Sequence, residues 1–151
     1  MSIDIVKQVL EGLAEFSTAT RLYALSVGGD DAAYDGLLVE AFFASDALQE
    51  VGARDIIVLS TNAELALESM QGQPATLAIA LADGGRTHFS GQICEAAMLG
   101  SNGSLTRYRI RIAPWIWRLS QVRNSRVWQD KTVIEIVDEV FGVHRPVAQW
   151  R

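Results

Sequence analysis

The residues best suited to covalent or acid–base chemistry in this sequence are one cysteine, Cys94, and two histidines, His88 and His144. His88 and Cys94 stand close enough along the chain to suggest a nucleophile and its base. Such a pair also needs a buried third group that orients the base, and the sequence marks none. A single cysteine and two distant histidines leave little for a zinc site. We therefore expect no catalytic residue, no metal and no cofactor.

Two groups of carboxylates offer other chemistry. Asp30, Asp31 and Asp35 crowd one loop, but a calcium site needs alternating oxygen ligands and a distal glutamate, which the sequence does not show. Glu64 and Glu68 are four residues apart, and their alanine and leucine neighbours favour an exposed helix over a buried acid–base pair. We interpret both groups as solvated surface.

Three arginines, Arg107, Arg109 and Arg111, occupy alternate positions and so share one face of a predicted strand. One interpretation is a phosphate or nucleic-acid contact. The other is a solvated or partner-facing surface with acidic neighbours on adjacent strands. We favour the second, because no aromatic residue interleaves with the arginines on that face. The net charge of −5 also argues against a nucleic acid or an anionic membrane as the main partner.

Tryptophans are concentrated just after the arginines, at Trp115, Trp117 and Trp128. A sugar-binding platform is one interpretation. Anchoring of a core or an interface is the other, since tryptophan combines a large apolar area with a single hydrogen-bond donor. We favour anchoring, because Pro114 and Trp115 follow directly from a strand with an inward face.

The elements that must position these residues follow a short-strand pattern within one domain's length of 151 residues. Turn residues separate six strand-like segments: Leu22–Val27, Leu37–Phe43, Asp55–Leu59, Ala75–Leu81, Arg86–Leu99 and Ser104–Ala113. Gly84 and Gly85 indicate a hairpin, and a bend is predicted at Gly91. Short strands joined by such turns are typical of an antiparallel barrel or sandwich.

Two helices flank the strands. Residues 2–16 are predicted to form an amphipathic helix, with an apolar stripe of Ile3, Val6, Leu10 and Leu13. Near the other end, Thr132 and Glu135 form a capping box that starts a second helix. Its predicted buried stripe consists of Ile134, Val137 and Phe141.

An ordered series of motifs carries a family resemblance. Tyr108 leads through Arg-Ile-Arg-Ile-Ala to Pro114-Trp115-Ile-Trp117-Arg-Leu119, and Ser125-Arg126-Val-Trp128-Gln129 then leads into the second helix. Upstream, residues 67–81 and 84–93 are similar to a strand and its glycine-containing return. Together these residues resemble the N-terminal part of VgrG proteins, the spike and hub subunits of type VI secretion systems.

The resemblance implies a fold similar to the baseplate hub of contractile-tailed phages: mainly β, an antiparallel barrel with flanking helices, in the α+β class. It implies a first hub barrel at 21–130 and a helix with the start of an inter-barrel segment at 131–151. The N-terminal helix, assigned to residues 1–20, is expected from its apolar periodicity and is not part of the resemblance. Packing or junction anchors would be Pro114, Trp115, Trp117, Arg126 and Trp128. Arg107, Arg109 and Arg111 would face the lumen or a neighbouring subunit.

The implied function is structural rather than enzymatic. The full-length protein would form a homotrimer that caps the tail tube, contacts baseplate proteins and delivers effectors. Since residues 2–16 lack a signal peptide's uninterrupted apolar region, we expect assembly in the cytoplasm and export by the type VI system, with no membrane binding by this domain. Two alternatives stay open: an effector or hydrolase domain, and an adaptor whose N-terminal helix binds a partner's groove.

Overall fold

The computed structural model describes residues 21–29, 34 and 36–145. Within them, the elements in chain order are β1 (Tyr23–Val27), β2 (Leu38–Ser45), β3 (Ala53–Ser60), α1 (Leu67–Met70), β4 (Pro74–Ala80), β5 (Arg86–Ser101), β6 (Thr106–Ala113), a 3₁₀ helix (Trp115–Gln121) and α2 (Val133–Gly142). Each of the six predicted strand segments overlaps one of these strands, with ends that differ by at most two residues.

The six strands form a single sheet in the order β1-β4-β5-β6-β3-β2, and every neighbouring pair is antiparallel. The antiparallel prediction is therefore confirmed. Tight glycine-containing turns make this topology possible; Gly84, for example, adopts a φ of 83° between β4 and β5.

Strand β5 is long enough to serve both halves of the sheet. It pairs with β4 from Arg86 to Gln92 and with β6 from Gln92 to Ser101. Gly91, where the sequence predicts a bend, stands at this changeover. A Cβ atom at Gly91 would lie 2.3 Å from the carbonyl oxygen of Ala113. Only glycine therefore lets the end of β6 approach β5 this closely.

The core lies on one face of the sheet. Period-two alternation places apolar side chains on that face, and the largest of those with under 2% exposure include Tyr108, Ile56, Leu77, Ile93, Ile110 and Ile112. Met70 of α1 is also buried against this cluster. Burial of this kind supplies the main driving force for folding.

The two edge strands approach each other without pairing. The rings of Tyr23 on β1 and Phe42 on β2 meet edge to face, with centroids 5.2 Å apart. No backbone ladder joins β1 to β2 in the described part of the chain. The sheet is thus a curled half-barrel, and full closure of the barrel stays a prediction.

The second flanking helix begins as predicted. The Thr132 side chain accepts a hydrogen bond from the Glu135 backbone N–H at 3.3 Å, and the Glu135 carboxylate accepts one from the Thr132 N–H at 2.7 Å. The predicted buried stripe is wrong, however: Ile134 is 73% exposed and Val137 is 38% exposed. Helical spacing identified a shared face, but only its last member, Phe141, is half-buried, against the ring of Trp115.

The remaining helix prediction falls outside the described residues. The predicted amphipathic helix at 2–16 and the last residues, 146–151, are not among them. The domain limits 1–20, 21–130 and 131–151 therefore stay predictions.

Candidate functional site

The three arginines of β6 lie on the face opposite the core. The burial pattern of β6 alternates, with Thr106, Tyr108, Ile110 and Ile112 buried and the arginines exposed or half-buried between them. The shared face predicted for the arginines is confirmed.

Each arginine has a carboxylate partner on another strand, as expected for a face with acidic neighbours. The partners are Glu40 on β2 for Arg107 at 2.7 Å, Glu95 on β5 for Arg109, and Asp55 on β3 for Arg111 at 3.6 Å. Because these side chains are 30–52% exposed, each pair contributes only about 0–1 kcal/mol to stability. Their main effect is to neutralise the arginine charge across four strands.

Apolar side chains share this ion-paired face. Register places Phe43 beside Asp55, Ile57 beside Arg109 and Leu59 beside Arg107. Phe43 is 64% exposed. A surface that mixes compensated charges with exposed apolar groups suits contact with another protein better than contact with a polyanion, which needs uncompensated arginines.

A fourth ion pair holds the loop between β2 and β3. Arg54 donates to both carboxylate oxygens of Asp46, at 2.8 and 2.7 Å, and its guanidinium lies 4.3 Å from the centroid of Phe89. The hydrogen bond from Arg54 lowers the pKa of Asp46. Sequence reasoning missed this cluster, because its members come from three separate segments. The aspartate directly beside Arg54 in the sequence, Asp55, pairs with Arg111 instead.

The 3₁₀ helix brings Trp115 to α2. It begins after Pro114, whose fixed φ suits a helix start. The Trp115 ring meets the Phe141 ring edge to face at 4.8 Å. Trp115 and Trp117 are half-buried, and no residue of this 3₁₀ helix or of α2 is fully buried among the described residues.

The other two predicted anchors, Arg126 and Trp128, lie together further along. The Arg126 guanidinium is 5.8 Å and the Lys131 ammonium 5.2 Å from the Trp128 ring. Glu139 of α2 accepts a hydrogen bond from Lys131 and pairs with Arg126 at 3.9 Å. One carboxylate thus ties two cations and an indole to α2, a cluster whose Glu139 and Lys131 sequence reasoning did not identify.

A groove of about 340 Å³ opens beside this cluster. We call it the C-terminal groove; its lining residues are Leu119, Val122, Asn124, Arg126, Trp128, Val140, Val143 and His144. Four of them are aliphatic, and Arg126 and His144 add polar groups. The shape and lining suit an apolar side-chain array more than a small polar substrate.

The candidate catalytic residues do not form a site. His88 is exposed and pairs in register with Ala78, whereas Cys94 is half-buried and its thiol lies 3.4 Å from the Arg111 carbonyl oxygen. Burial raises the pKa of the Cys94 thiol, which leaves less of the nucleophilic thiolate at neutral pH. Glu64 and Glu68 are both exposed.

The described ranges 21–29, 34 and 36–145 contain no group of three or more His, Cys, Asp or Glu side chains placed to hold a metal ion. They also contain no helix with the length and hydrophobicity to cross a membrane. Asp30, Asp31 and Asp35 lie outside these ranges.

Comparison with known proteins identifies relatives. The sequence model of the family described as phage tail baseplate hub (GPD) matches residues 45–151. Two type VI secretion system spike proteins of Pseudomonas aeruginosa are similar. VgrG1b is 34% identical over 89 residues, 59% of this chain and 12% of that protein, and VgrG1a is 27% identical over 126 residues, 77% of this chain and 20% of that protein. The chain therefore spans at most a fifth of these relatives' length.

A solved structure shares the fold. It is the E. coli c3393 protein, described as a component of the type VI secretion system with structural similarity to the T4 bacteriophage tail proteins gp27 and gp5. The match has a TM-score of 0.69 and 24% identity, and it covers 85% of this chain and 33% of that one. With the sequence matches, it confirms the resemblance to VgrG proteins.

Proposed function

Because the chain belongs to the phage tail baseplate hub (GPD) family, we propose that it forms one sector of the hub of a type VI secretion spike. In the full-length protein, three copies assemble into a ring that caps the tail tube and supports delivery of effectors into target cells. The observation that carries this proposal is the extent of the family match, which includes β3 to β6, the tryptophans and α2.

The sheet has the surfaces that such a ring needs. A ring requires contacts between different surfaces of neighbouring subunits. The ion-paired face is wide, partly apolar and charge-compensated, so we propose that Arg107, Arg109 and Arg111 face a neighbouring subunit or the lumen. We also propose that the barrel closes where Tyr23 meets Phe42, since unpaired edge strands invite aggregation unless they are covered.

The segment after β6 acts as the junction. We assign Pro114, Trp115 and Trp117 to turning the chain away from the sheet and onto α2. Arg126 and Trp128 then fix the extended segment to the same helix through Glu139. This junction would set the angle at which the following part of a full-length hub protein leaves the barrel.

The proposed role is non-enzymatic, and its partners are proteins: the tail-tube protein, baseplate proteins and effectors. Neither nucleic acid nor membrane is a partner of this domain in the proposal, because the arginines of the ion-paired face are compensated. Assembly takes place in the cytoplasm, and export uses the type VI system itself.

Light scattering on a full-length protein that carries this domain tests the proposal. We expect a mass three times that of one subunit, and a monomer at high concentration would overturn the proposal.

Arg126→Gln should weaken assembly. Arg123→Gln, which changes an exposed arginine on the same segment, is the matched control. His88→Ala and Cys94→Ala should leave effector delivery unchanged; loss of delivery in a folded variant would favour the hydrolase alternative.

A further inference from the structure

The turn between β5 and β6 contains an asparagine followed directly by a glycine, Asn102 and Gly103. The carbonyl carbon of an asparagine side chain, Cγ, is electrophilic, and the backbone nitrogen of the next residue can attack it. Glycine at that next position leaves the nitrogen unshielded, because it has no Cβ atom. Both residues are exposed, and Gly103 has a positive φ of 89°. This dipeptide therefore carries the groups for a self-modification.

The reaction is deamidation, with water as the only other reactant. The Gly103 nitrogen forms a bond to Cγ of Asn102 and loses its proton, and the bond between Cγ and Nδ2 breaks. Nδ2 leaves with that proton as ammonia, and a cyclic succinimide remains. Water then opens the ring at either carbonyl carbon, which yields aspartate or isoaspartate. The attack requires the nitrogen and Cγ to reach a near-attack geometry, about 3–3.5 Å apart.

The turn holds both reacting groups in other hydrogen bonds. The Gly103 N–H donates to the Ser101 hydroxyl oxygen at 3.2 Å. Oδ1 of Asn102 accepts hydrogen bonds from the backbone N–H groups of Ser104 and Leu105, at 3.1 and 2.9 Å. A bonded amide proton is removed by base only after its hydrogen bond opens. The closed turn therefore keeps the attacking nitrogen protonated and the Asn102 side chain fixed.

The Ser101 hydroxyl connects this exposed turn to the buried part of the sheet. It accepts a hydrogen bond from the Thr106 hydroxyl at 3.1 Å and donates one to the Leu105 carbonyl oxygen at 3.4 Å. Thr106 is 1% exposed and pairs in register with Ser101. The acceptor of the Gly103 N–H is thus held in place by a side chain of β6 that solvent does not reach.

We propose that Asn102 is a latent deamidation site, which the Ser101 hydroxyl protects for as long as the turn between β5 and β6 stays closed. The rate of deamidation then follows the fraction of time for which the turn is open. The two N–H groups on Oδ1 would also stabilise negative charge there during an attack, as in an oxyanion hole. That stabilisation has no effect while the attacking nitrogen retains its proton.

Deamidation at this position would alter the ion-paired face, a consequence that rests on the proposed function of that face as a contact surface. Asn102 and Arg107 line the same cavity of about 480 Å³, and Arg107 pairs with Glu40 at 2.7 Å. An aspartate at position 102 adds a negative charge that competes with Glu40 for Arg107. Isoaspartate also lengthens the backbone, which disturbs the register of Ser101 with Thr106.

Mass spectrometry of the 151-residue chain tests the protection. Trypsin releases residues 87–107 as one peptide, in which Asn102 is the single asparagine. At mildly alkaline pH, Asn102 should deamidate at least about tenfold more slowly in the native chain than in the same chain unfolded in urea. Equal rates, or a faster rate in the native chain, would overturn the proposal.

Three serine variants test the role of the hydroxyl. Ser101→Ala removes the acceptor of the Gly103 N–H, so we expect deamidation to become about fivefold faster, the factor for one lost hydrogen bond. Ser101→Thr keeps a hydroxyl and should restore the slow rate. Ser104→Ala is the matched control, since it retains the backbone N–H that binds Asn102.

Unchanged amide exchange in β4 shows that the sheet of each variant is folded. A wild-type rate in folded Ser101→Ala, or equal acceleration in Ser104→Ala, would overturn the assignment to Ser101. These measurements do not depend on assembly, so their failure is distinguishable from failure of the hub proposal.

Discussion

The sheet and the segment after it differ in how they treat apolar side chains. β6 buries Tyr108, Ile110 and Ile112 almost completely, whereas within the described chain neither the 3₁₀ helix nor α2 has a fully buried residue. The core of the sheet thus consists mainly of strand residues, with Met70 of α1 packed against them. The segment 114–145 instead holds its shape with an aromatic pair, a shared carboxylate and a capping box, and leaves aliphatic groups exposed. Stability resides in the first region, and the capacity for further contacts resides in the second.

Removing the same residue type from each region gives the widest contrast. Ile110→Ala empties a site with no exposure, and we expect a loss of about 2–5 kcal/mol. Ile134→Ala trims a side chain that is 73% exposed, so the change should stay within about 0.5 kcal/mol. Urea unfolding followed by circular dichroism measures both. A comparable loss at Ile134 would mean that α2 is packed as tightly as the sheet.

Two glycines of β5 allow a comparison between a crowded and an open position within the sheet. Gly91→Ala places a Cβ atom 2.3 Å from the Ala113 carbonyl oxygen, and the resulting overpacking should cost about 1–3 kcal/mol. Gly100→Ala is the control, because no heavy atom lies within 4 Å of its added Cβ. The urea concentrations at the unfolding midpoints of the two variants measure this difference in stability. If the two variants lose the same stability, close approach at Gly91 is not what shapes the sheet.

A cap substitution tests whether the two regions unfold separately. Thr132→Ala removes the hydrogen bond to the Glu135 backbone N–H, a loss of about 1 kcal/mol in helix stability. Amide exchange in α2 should become about five-fold faster, while exchange in β6 stays unchanged. Equal acceleration in both elements would show that helix and sheet unfold as one unit and would contradict the contrast.

The smallest expected effect is the pH-dependent contribution to stability of the Arg54–Asp46 ion pair, at the loop between β2 and β3. The hydrogen bond from Arg54 lowers the folded-state pKa of Asp46 below its ordinary value of 3.8. Its contribution is therefore present above that value and is lost as the pH falls through the lowered pKa. Wild type should exceed Asp46→Asn in stability at neutral pH, and the difference should shrink in strong acid. A difference that does not change with pH would exclude this ion pair as its source.

The sequence predicted the strands of the sheet well, because alternation and capping patterns depend only on residues that are close together in the chain. The alternation through Thr106–Ala113 gave both faces of β6, and Thr132 with Glu135 gave the start of α2. The stripe at Ile134 and Val137 failed for a physical reason. Periodicity shows which residues share a face, but whether anything covers that face depends on the rest of the assembly.

The identities of the carboxylates that pair with the arginines could not be predicted from the sequence. Acidic neighbours were expected, but their identities depend on register, and register shifts occur between Val39 and Ala41 and between Ile93 and Glu95. Glu40 lies within the first shift and reaches Arg107 across an intervening strand. A bulge changes which side chain faces which neighbour, and no local sequence signal marked either one.

Because β5 pairs with β4 on one side of Gln92 and with β6 on the other, one continuous backbone couples the two halves of the sheet mechanically. A load that pulls β1 away from β2 is carried by the β4 ladder on one side of Gln92 and by the β6 ladder on the other. After a nick in the backbone at that residue, the two halves would stay joined by the chain between β3 and β4 and by the backbone hydrogen bonds of Ile93 with Gly72 and Gln73.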